Sequence, residues 1–92
     1  MVQARFEIAG TRYRQADFAQ AQVKIGDMLR MTPEPSNVFD SNAIAVFKDN
    51  FHIGYVPRNE NKELLPHVAA GKITCVVEAA TPHSCWVLVE MP

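Results

Sequence analysis

Cysteine, histidine and serine are the residue types in this chain best suited to metal binding or covalent catalysis. Cys75 and Cys85 are ten residues apart, in no CxxC pair and at no zinc-finger spacing from a histidine. None of the serines lies in a nucleophile motif, and the four glycines stand apart instead of forming a phosphate-binding loop. No close pair of carboxylates stands out for acid–base work. The sequence therefore predicts a binding module without metal or cofactor, not an enzyme, with its cysteine thiols buried or half-buried in strands.

A different kind of chemistry is concentrated between Glu34 and Phe47, in the segment EPSNVFDSNAIAVF. Its first half is dense in turn formers and its second half is apolar, as in a loop that enters a buried strand. Asn37, Asp40 and Asn42 can bond to nearby backbone, which such a turn requires. The same side chains could instead face a ligand. Taken alone the pattern favours the structural role, with Asn42 as the structural member and Asp40 as the ligand contact.

The rest of the chain consists of short strands and turns. Six segments have the alternation or the β-rich composition of strands: residues 5–9, the end of 25–31 after a tight turn at Gly26–Asp27, 43–49, 51–57, 72–79 and 85–91. Asp49–Asn50 predicts a hairpin turn. Simple alternation then puts Phe51, Ile53 and Tyr55 on one face of the return strand, with His52, Gly54 and Val56 on the other.

Two segments predict helix. Residues 15–23 predict either a single helical turn capped by Asp17 or a loop. After Pro57 the apolar residues recur at the spacing of a helix instead of that of a strand. This predicts a helix with Asn59 as its N-cap, a kink at Pro66 and Gly71 at its C-terminal end. The fold class is therefore mainly β (α+β), a small, partly open barrel or compact sheet with one or two short helices.

Length and charge limit the partners of the chain. Its 92 residues suffice for a single domain spanning 1–92. The net charge of −1 and the pI of about 6.3 give no bulk positive field, so nucleic-acid binding would depend on a local group of basic residues. No apolar stretch is long enough for a bilayer and no signal sequence opens the chain, so we expect a cytoplasmic protein.

Two motifs resemble the HIRAN domain, a small β-rich module at the front of some DNA-remodelling helicases that also occurs alone in bacteria. They are EPSNVFDSNAIAV at residues 34–46 and IGYVPR at residues 53–58, and neither would suffice alone. Three shorter segments are also similar: GTRYR (10–14) to the family's first-strand motif, IGDMLRM (25–31) to its next turn, and ELLPHVAAGK (63–72) to its short helix. The resemblance covers about residues 6–89.

The resemblance implies an OB-like six-stranded barrel that holds the free 3′ end of single-stranded DNA. It assigns the DNA-binding site to eight residues: Arg12, Tyr13, Arg14, Asn37, Phe39, Asp40, Tyr55 and Arg58. An ionised carboxylate at position 40 would accept the hydrogen bond of a terminal 3′-hydroxyl and repel a 3′-phosphate. The arginines would contact flanking phosphates, and an aromatic ring at position 13 or 39 would stack on a base.

Several of these residues have a structural alternative. Phe39 could fill the core instead of stacking, and Arg58 could be a solvated residue ahead of the helix. Tyr13 is better suited to stacking, because strand alternation would put it opposite its two neighbouring arginines. Trp86, in an otherwise apolar strand, is assigned to the core.

Two positions depart from the family pattern: helicase-borne members often have a second aromatic where Arg14 stands, and the position sometimes held by His is Tyr55.

The resemblance implies a stand-alone module for damaged or stalled DNA that accompanies a helicase or nuclease encoded elsewhere. The alternative is a protein-interaction or assembly domain that keeps the fold without the pocket. That alternative predicts scattered arginines and an exposed apolar patch.

Overall fold

The computed structural model describes residues 2–92, which contain six strands and two α-helices. In chain order the elements are β1 (Val2–Glu7), a 3₁₀ turn (Thr11–Arg14), α1 (Gln15–Ala21), β2 (Arg30–Pro33), β3 (Ile44–Lys48), β4 (Phe51–Tyr55), α2 (Arg58–Ala69), β5 (Thr74–Ala80) and β6 (Cys85–Met91). The mainly-β composition with two short helices agrees with the sequence analysis. No helix within residues 2–92 has the length and apolar character needed to cross a membrane.

The six strands form two antiparallel three-stranded sheets, ordered β1-β6-β5 and β2-β3-β4, and within residues 2–92 they do not close into a single barrel. Two isolated bridges join them. Ala9 and Tyr55 exchange both backbone hydrogen bonds, at 2.8 and 2.9 Å, and Met28 bridges Val76. The expectation of a small, partly open six-stranded barrel or compact sheet is therefore met in part: the fold is mainly β with six strands, but the strands are divided between two sheets joined by isolated bridges and a few backbone hydrogen bonds.

Gly10 sets the direction of the chain after β1. Its φ of +74° lies in the left-handed region, which a glycine adopts without steric strain. The chain therefore leaves the extended conformation and residues 11–14 form a 3₁₀ turn, which leads directly into α1. The expectation that Arg12, Tyr13 and Arg14 lie on a strand was wrong, and so was Asp17 as the helix cap, since Arg14 is the N-cap of α1.

A β-bulge in the β3–β4 hairpin changes which side chains share a face. Val46 pairs with Gly54, but the next residue, Phe47, pairs with His52. The extra residue on β4 reverses the alternation, so both Ile53 and Gly54 are buried. His52 and Tyr55 consequently lie together, with ring centroids 4.9 Å apart. The prediction that Tyr55 shares a face with Phe51 and Ile53, opposite His52, was wrong for this reason. The hairpin turn at Asp49–Asn50 was correct.

The core lies between the two sheets and takes one face of every strand. In β6 the inward positions are Cys85, Val87, Val89 and Met91. Trp86 lies on the opposite face of β6 and is 40% exposed, so its assignment to the core was wrong. The cysteine prediction was correct: Cys75 and Cys85 are free, buried thiols in strands, and burial raises the pKa of each to about 12.

Helix α2 packs its apolar stripe against the core through Leu64 and Val68. It begins at Arg58, with Pro57 as N-cap, so the expected cap at Asn59 was wrong by two residues. The helix continues through Pro66 to Ala69, and Gly71 follows it with a φ of +70°, as expected.

Candidate functional site

An open cavity of about 930 Å³ lies where the turn after β1, the loop between β2 and β3, and the first turn of α2 meet. Six of the eight predicted site residues line it: Tyr13, Asn37, Phe39, Asp40, Tyr55 and Arg58. Its volume lies in the range of ordinary ligand sites. We call it the central cavity. Arg12 lines a neighbouring cavity of about 700 Å³ that shares Tyr13 with it, and Arg14 lines neither.

The loop that forms one wall is held by Asn37 and Glu34. The side-chain oxygen of Asn37 accepts hydrogen bonds from the backbone amides of Phe39 (2.9 Å) and Asp40 (3.1 Å). Its amide donates to Glu34 at 3.0 Å, and the Tyr55 hydroxyl donates to the same Glu34 oxygen at 2.9 Å. Asn37 therefore has the structural role that turn chemistry predicts, and Glu34 joins the loop to β4.

Hydrogen bonding within this network shifts the pKa of its acidic members. Burial raises the pKa of Glu34, but the bonds from Asn37 and Tyr55 outweigh it, and the net effect is a lowered pKa. Burial and the bond to Glu34 raise the pKa of the Tyr55 phenol. At neutral pH this wall of the cavity therefore has an ionised Glu34 and a neutral Tyr55.

Asp40 accepts hydrogen bonds at both carboxylate oxygens. The backbone amide of Asn42 donates to Oδ1 at 2.9 Å, and the side-chain amide of Asn61 donates to Oδ2 at 2.8 Å. The Arg58 Nε lies 3.8 Å from Oδ2. The backbone bond from Asn42, the bond from Asn61 and the charge of Arg58 lower the pKa of Asp40, so it is ionised at neutral pH. Asp40 is thus part of the turn and also lines the cavity.

Asn61 is a site residue that the sequence analysis missed. It is a polar residue only 2% exposed, it lies in the first half of α2, and it lines the central cavity while holding Asp40. The signal was present: Asn61 is three and seven residues before Leu64 and Val68, so it falls on the buried stripe of the helix. A buried amide at such a position requires a hydrogen-bond partner, which Asp40 supplies.

Two aromatic side chains flank the mouth of the cavity with most of their surface exposed. Tyr13 is 78% exposed and Phe39 is 83% exposed. The alternative that Phe39 fills the core is excluded by this exposure. Aromatic rings are usually largely buried, so the exposure of these two is unusual. It leaves both rings free to stack on a flat ligand group.

The three predicted arginines each contact an aromatic ring or the loop. The Arg12 guanidinium donates a 2.9 Å hydrogen bond to the Tyr13 hydroxyl and lies 5.0 Å from the ring centroid. Arg14 lies over the Tyr55 ring at 5.7 Å. Arg58 donates to the Phe39 carbonyl at 3.3 Å. Within residues 2–92, neither Arg12 nor Arg14 has a carboxylate within 4.0 Å, so both can accept a further anionic partner.

The arrangement combines a carboxylate acceptor, two exposed rings and guanidinium groups around one cavity. A carboxylate accepts hydrogen bonds from hydroxyls and amides, exposed rings stack on planar groups, and guanidinium groups bind phosphates or carboxylates. Within residues 2–92 no group of three His, Cys, Asp or Glu side chains could hold a metal ion.

Three solved structures share this fold. A protein from Lactobacillus plantarum has a TM-score of 0.77 at 19% identity, with 96% of this chain and 95% of that chain covered. The HIRAN domain of human HLTF has a TM-score of 0.77 at 21% identity, covering 95% and 72% of the two chains. The HLTF HIRAN domain in its DNA-bound conformation gives 0.60 at 17% identity, covering 95% and 71%.

Comparison with family models gives a direct assignment, although no curated protein matches the sequence. The model of the HIRAN domain matches residues 1–88, which is nearly the whole chain and includes every residue of the central cavity. The chain therefore belongs to the HIRAN domain family.

Proposed function

We propose that the central cavity binds single-stranded DNA and recognises its free 3′-hydroxyl end. The observation that carries this proposal is the pairing of two exposed aromatic rings, Tyr13 and Phe39, with an ionised Asp40 in one cavity. Burying either ring in the core would have been favourable, so their exposure at a cavity mouth supports a ligand role. One of the solved structures with this fold is a HIRAN domain in its DNA-bound conformation.

Asp40 supplies the selectivity for the end. A terminal 3′-hydroxyl donates a hydrogen bond to a carboxylate oxygen, and each such oxygen has more than one acceptor site. Asp40 can therefore keep its bonds to Asn42 and Asn61 while it accepts a further one. A 3′-phosphate would bring a second negative charge to within a few ångströms and would be repelled.

The rings and the arginines supply affinity that does not depend on sequence. Stacking on Tyr13 or Phe39 contributes about 1–3 kcal/mol per base for any base. Arg12 beside Tyr13 and Arg58 beside Asp40 would contact the phosphates on the 5′ side of the terminal nucleotide. The wider role that we propose is recognition of DNA ends in DNA repair, in the cytoplasm and beside a separately encoded helicase or nuclease.

The arginine contribution can be tested by the salt dependence of binding. Arg12→Gln and Arg58→Gln should each weaken binding of a fluorescent single-stranded oligonucleotide, because each removes one phosphate contact. The slope of log K against log salt should fall by roughly 0.7 per contact. Arg5→Gln is the matched control, since Arg5 is an exposed arginine on β1 that pairs with Glu78 and lines neither cavity.

Either of two results would contradict DNA binding at the cavity. One is that the wild-type protein fails to bind at low salt, which would favour the protein-interaction alternative. The other is that Arg5→Gln weakens binding as much as Arg12→Gln, which would indicate only a diffuse electrostatic attraction.

A further inference from the structure

A continuous row of five side chains runs across the β2-β3-β4 sheet to the central cavity. The row consists of Arg30, Phe47, His52, Tyr55 and Arg14. Arg30 lies 4.7 Å from the centroid of Phe47, Phe47 stacks on His52 at 4.8 Å, His52 meets Tyr55 edge-on at 4.9 Å, and Arg14 lies 5.7 Å from the centroid of Tyr55. We call this set the aromatic row. Tyr55 belongs both to the row and to the cavity lining.

Strand register creates the row. Arg30 pairs directly with Phe47 across β2 and β3, and Phe47 pairs directly with His52 across β3 and β4. Directly opposed side chains in antiparallel strands lie on the same face and within contact distance. The bulge on β4 then brings Tyr55 onto this face beside His52, and without it the row would stop at β4 before reaching the cavity.

The row has a positive end on each side and a neutral centre. Arg14 and Arg30 have no carboxylate within 4.0 Å among residues 2–92. Burial, followed by the nearby charge of Arg14, lowers the pKa of His52, so its ring is neutral at pH 7. Glu34 and Asp17 are the carboxylates that act on His52, and the charge of Glu34 also acts on Arg14 from beyond ion-pair distance. The ring stacking fixes the two guanidinium groups without neutralising them.

We propose that the aromatic row is a second DNA-contacting surface, which guides the strand away from the cavity once its 3′ end is bound there. Arg14 binds a phosphate close to the end, and Arg30 binds a phosphate several nucleotides upstream. This inference rests on the proposed function of the cavity. The rings hold the two arginines in place, so less side-chain entropy is lost when phosphates bind.

The other route out of the cavity is less suited to a phosphate backbone. It leads past Tyr13 into the neighbouring cavity, where Arg12 and His83 are accompanied by Glu7 and Glu60. Those two carboxylates line that route directly and would oppose a phosphate chain, whereas the row itself consists of two arginines and three uncharged rings, with Glu34 beside its cavity end. Charge complementarity therefore favours the path along β4, β3 and β2.

Oligonucleotide length separates the row from the cavity. We would measure binding of a trimer and of a 12-mer, both with free 3′-hydroxyls, to wild type, Arg30→Gln, Arg30→Lys and Arg5→Gln. Arg30→Gln should weaken the 12-mer about tenfold at low salt, lower its salt slope by about 0.7, and leave the trimer unchanged. Arg30→Lys should retain most of the salt slope, because the charge remains. Arg5→Gln should change neither oligonucleotide.

Three results would overturn the proposal in distinguishable ways. An unchanged 12-mer affinity in Arg30→Gln would exclude the row while leaving the cavity function intact. Equal weakening of trimer and 12-mer would show that Arg30 acts through the cavity instead of contacting upstream phosphates. Failure of both oligonucleotides to bind wild type would refute the proposed function itself.

Discussion

Tyr13→Ala is expected to weaken binding of short single-stranded DNA by roughly 5- to 150-fold, and Phe39→Ala by a similar factor. The reason is the loss of base stacking, which contributes about 1–3 kcal/mol per base. Both rings are more than three-quarters exposed, so their removal leaves no cavity in the core. The measurement is an anisotropy titration, accompanied by thermal unfolding to show that each variant retains wild-type stability.

Two further variants make the stacking test specific. Trp86→Ala removes another exposed aromatic ring, on the outer face of β6, and should leave DNA affinity unchanged. Tyr13→Phe retains the ring but loses the hydroxyl that accepts the bond from Arg12, so it should retain most of the affinity. If Trp86→Ala weakened binding as much as Tyr13→Ala, DNA would be contacting the outer face of β6 instead of the central cavity.

Gly54→Ala is expected to have the largest effect on stability. A Cβ atom at residue 54 would lie 2.5 Å from the Ala9 carbonyl oxygen and 2.6 Å from Ile8 Cγ2. One of these is a backbone atom at the bridge between Ala9 and Tyr55, so it cannot rotate away. Overpacking of this kind costs roughly 3 kcal/mol. In a domain of this size each kcal/mol corresponds to about 4–8 °C in Tm.

Gly71→Ala provides the comparison for Gly54→Ala. Gly71 has a positive φ but open space around it, so alanine there should cost about 1 kcal/mol of backbone strain without a clash. Gly54→Ala should also reduce DNA affinity, since residues 9 and 55 line the cavity, whereas Gly71→Ala should not. A stability for Gly54→Ala equal to that of wild type would show that the two sheets are not held as closely as described.

The sequence was sufficient to predict the last four strands closely and six residues of the cavity wall, whereas the first two strands are shifted from their predicted positions. Alternation and turn chemistry locate the hairpin at Asp49–Asn50 and the last two strands, because these patterns depend on neighbouring residues alone. Asn37 acts locally as turn chemistry predicts, but in the turn at residues 40–42 it is the Asp40 side chain that bonds to the backbone of Asn42, although Asn42 was predicted to be the structural member. Six of the eight residues that were assigned by motif resemblance line one cavity.

What the sequence could not predict depends on tertiary context. The bulge at β4 reverses the expected faces of His52 and Tyr55, and Gly54 in the strand interior is compatible with a bulge without showing where the register shifts. Trp86 faces outward because the opposite face of β6 packs on the core, and tertiary contacts decide which face that is. Asn61 was overlooked because a polar residue near a helix N-terminus is normally solvated, and its partner Asp40 is 21 residues away. The bulge and the packing of β6 are long-range choices, which local patterns do not contain, whereas the burial of Asn61 follows from its place on the helix stripe.

Recognition of a free 3′-hydroxyl by Asp40 is the feature of the proposed function on which the selectivity of the cavity depends. The most direct test compares binding of one single-stranded DNA ending in a 3′-hydroxyl with the same strand ending in a 3′-phosphate, for wild type and Asp40→Asn. Wild type should prefer the hydroxyl by at least about tenfold, or 1.4 kcal/mol, because a carboxylate and a phosphate repel each other at short range. Asp40→Asn should lose that preference. Equal affinity of wild type for both ends, or a preference unchanged in Asp40→Asn, would contradict the account.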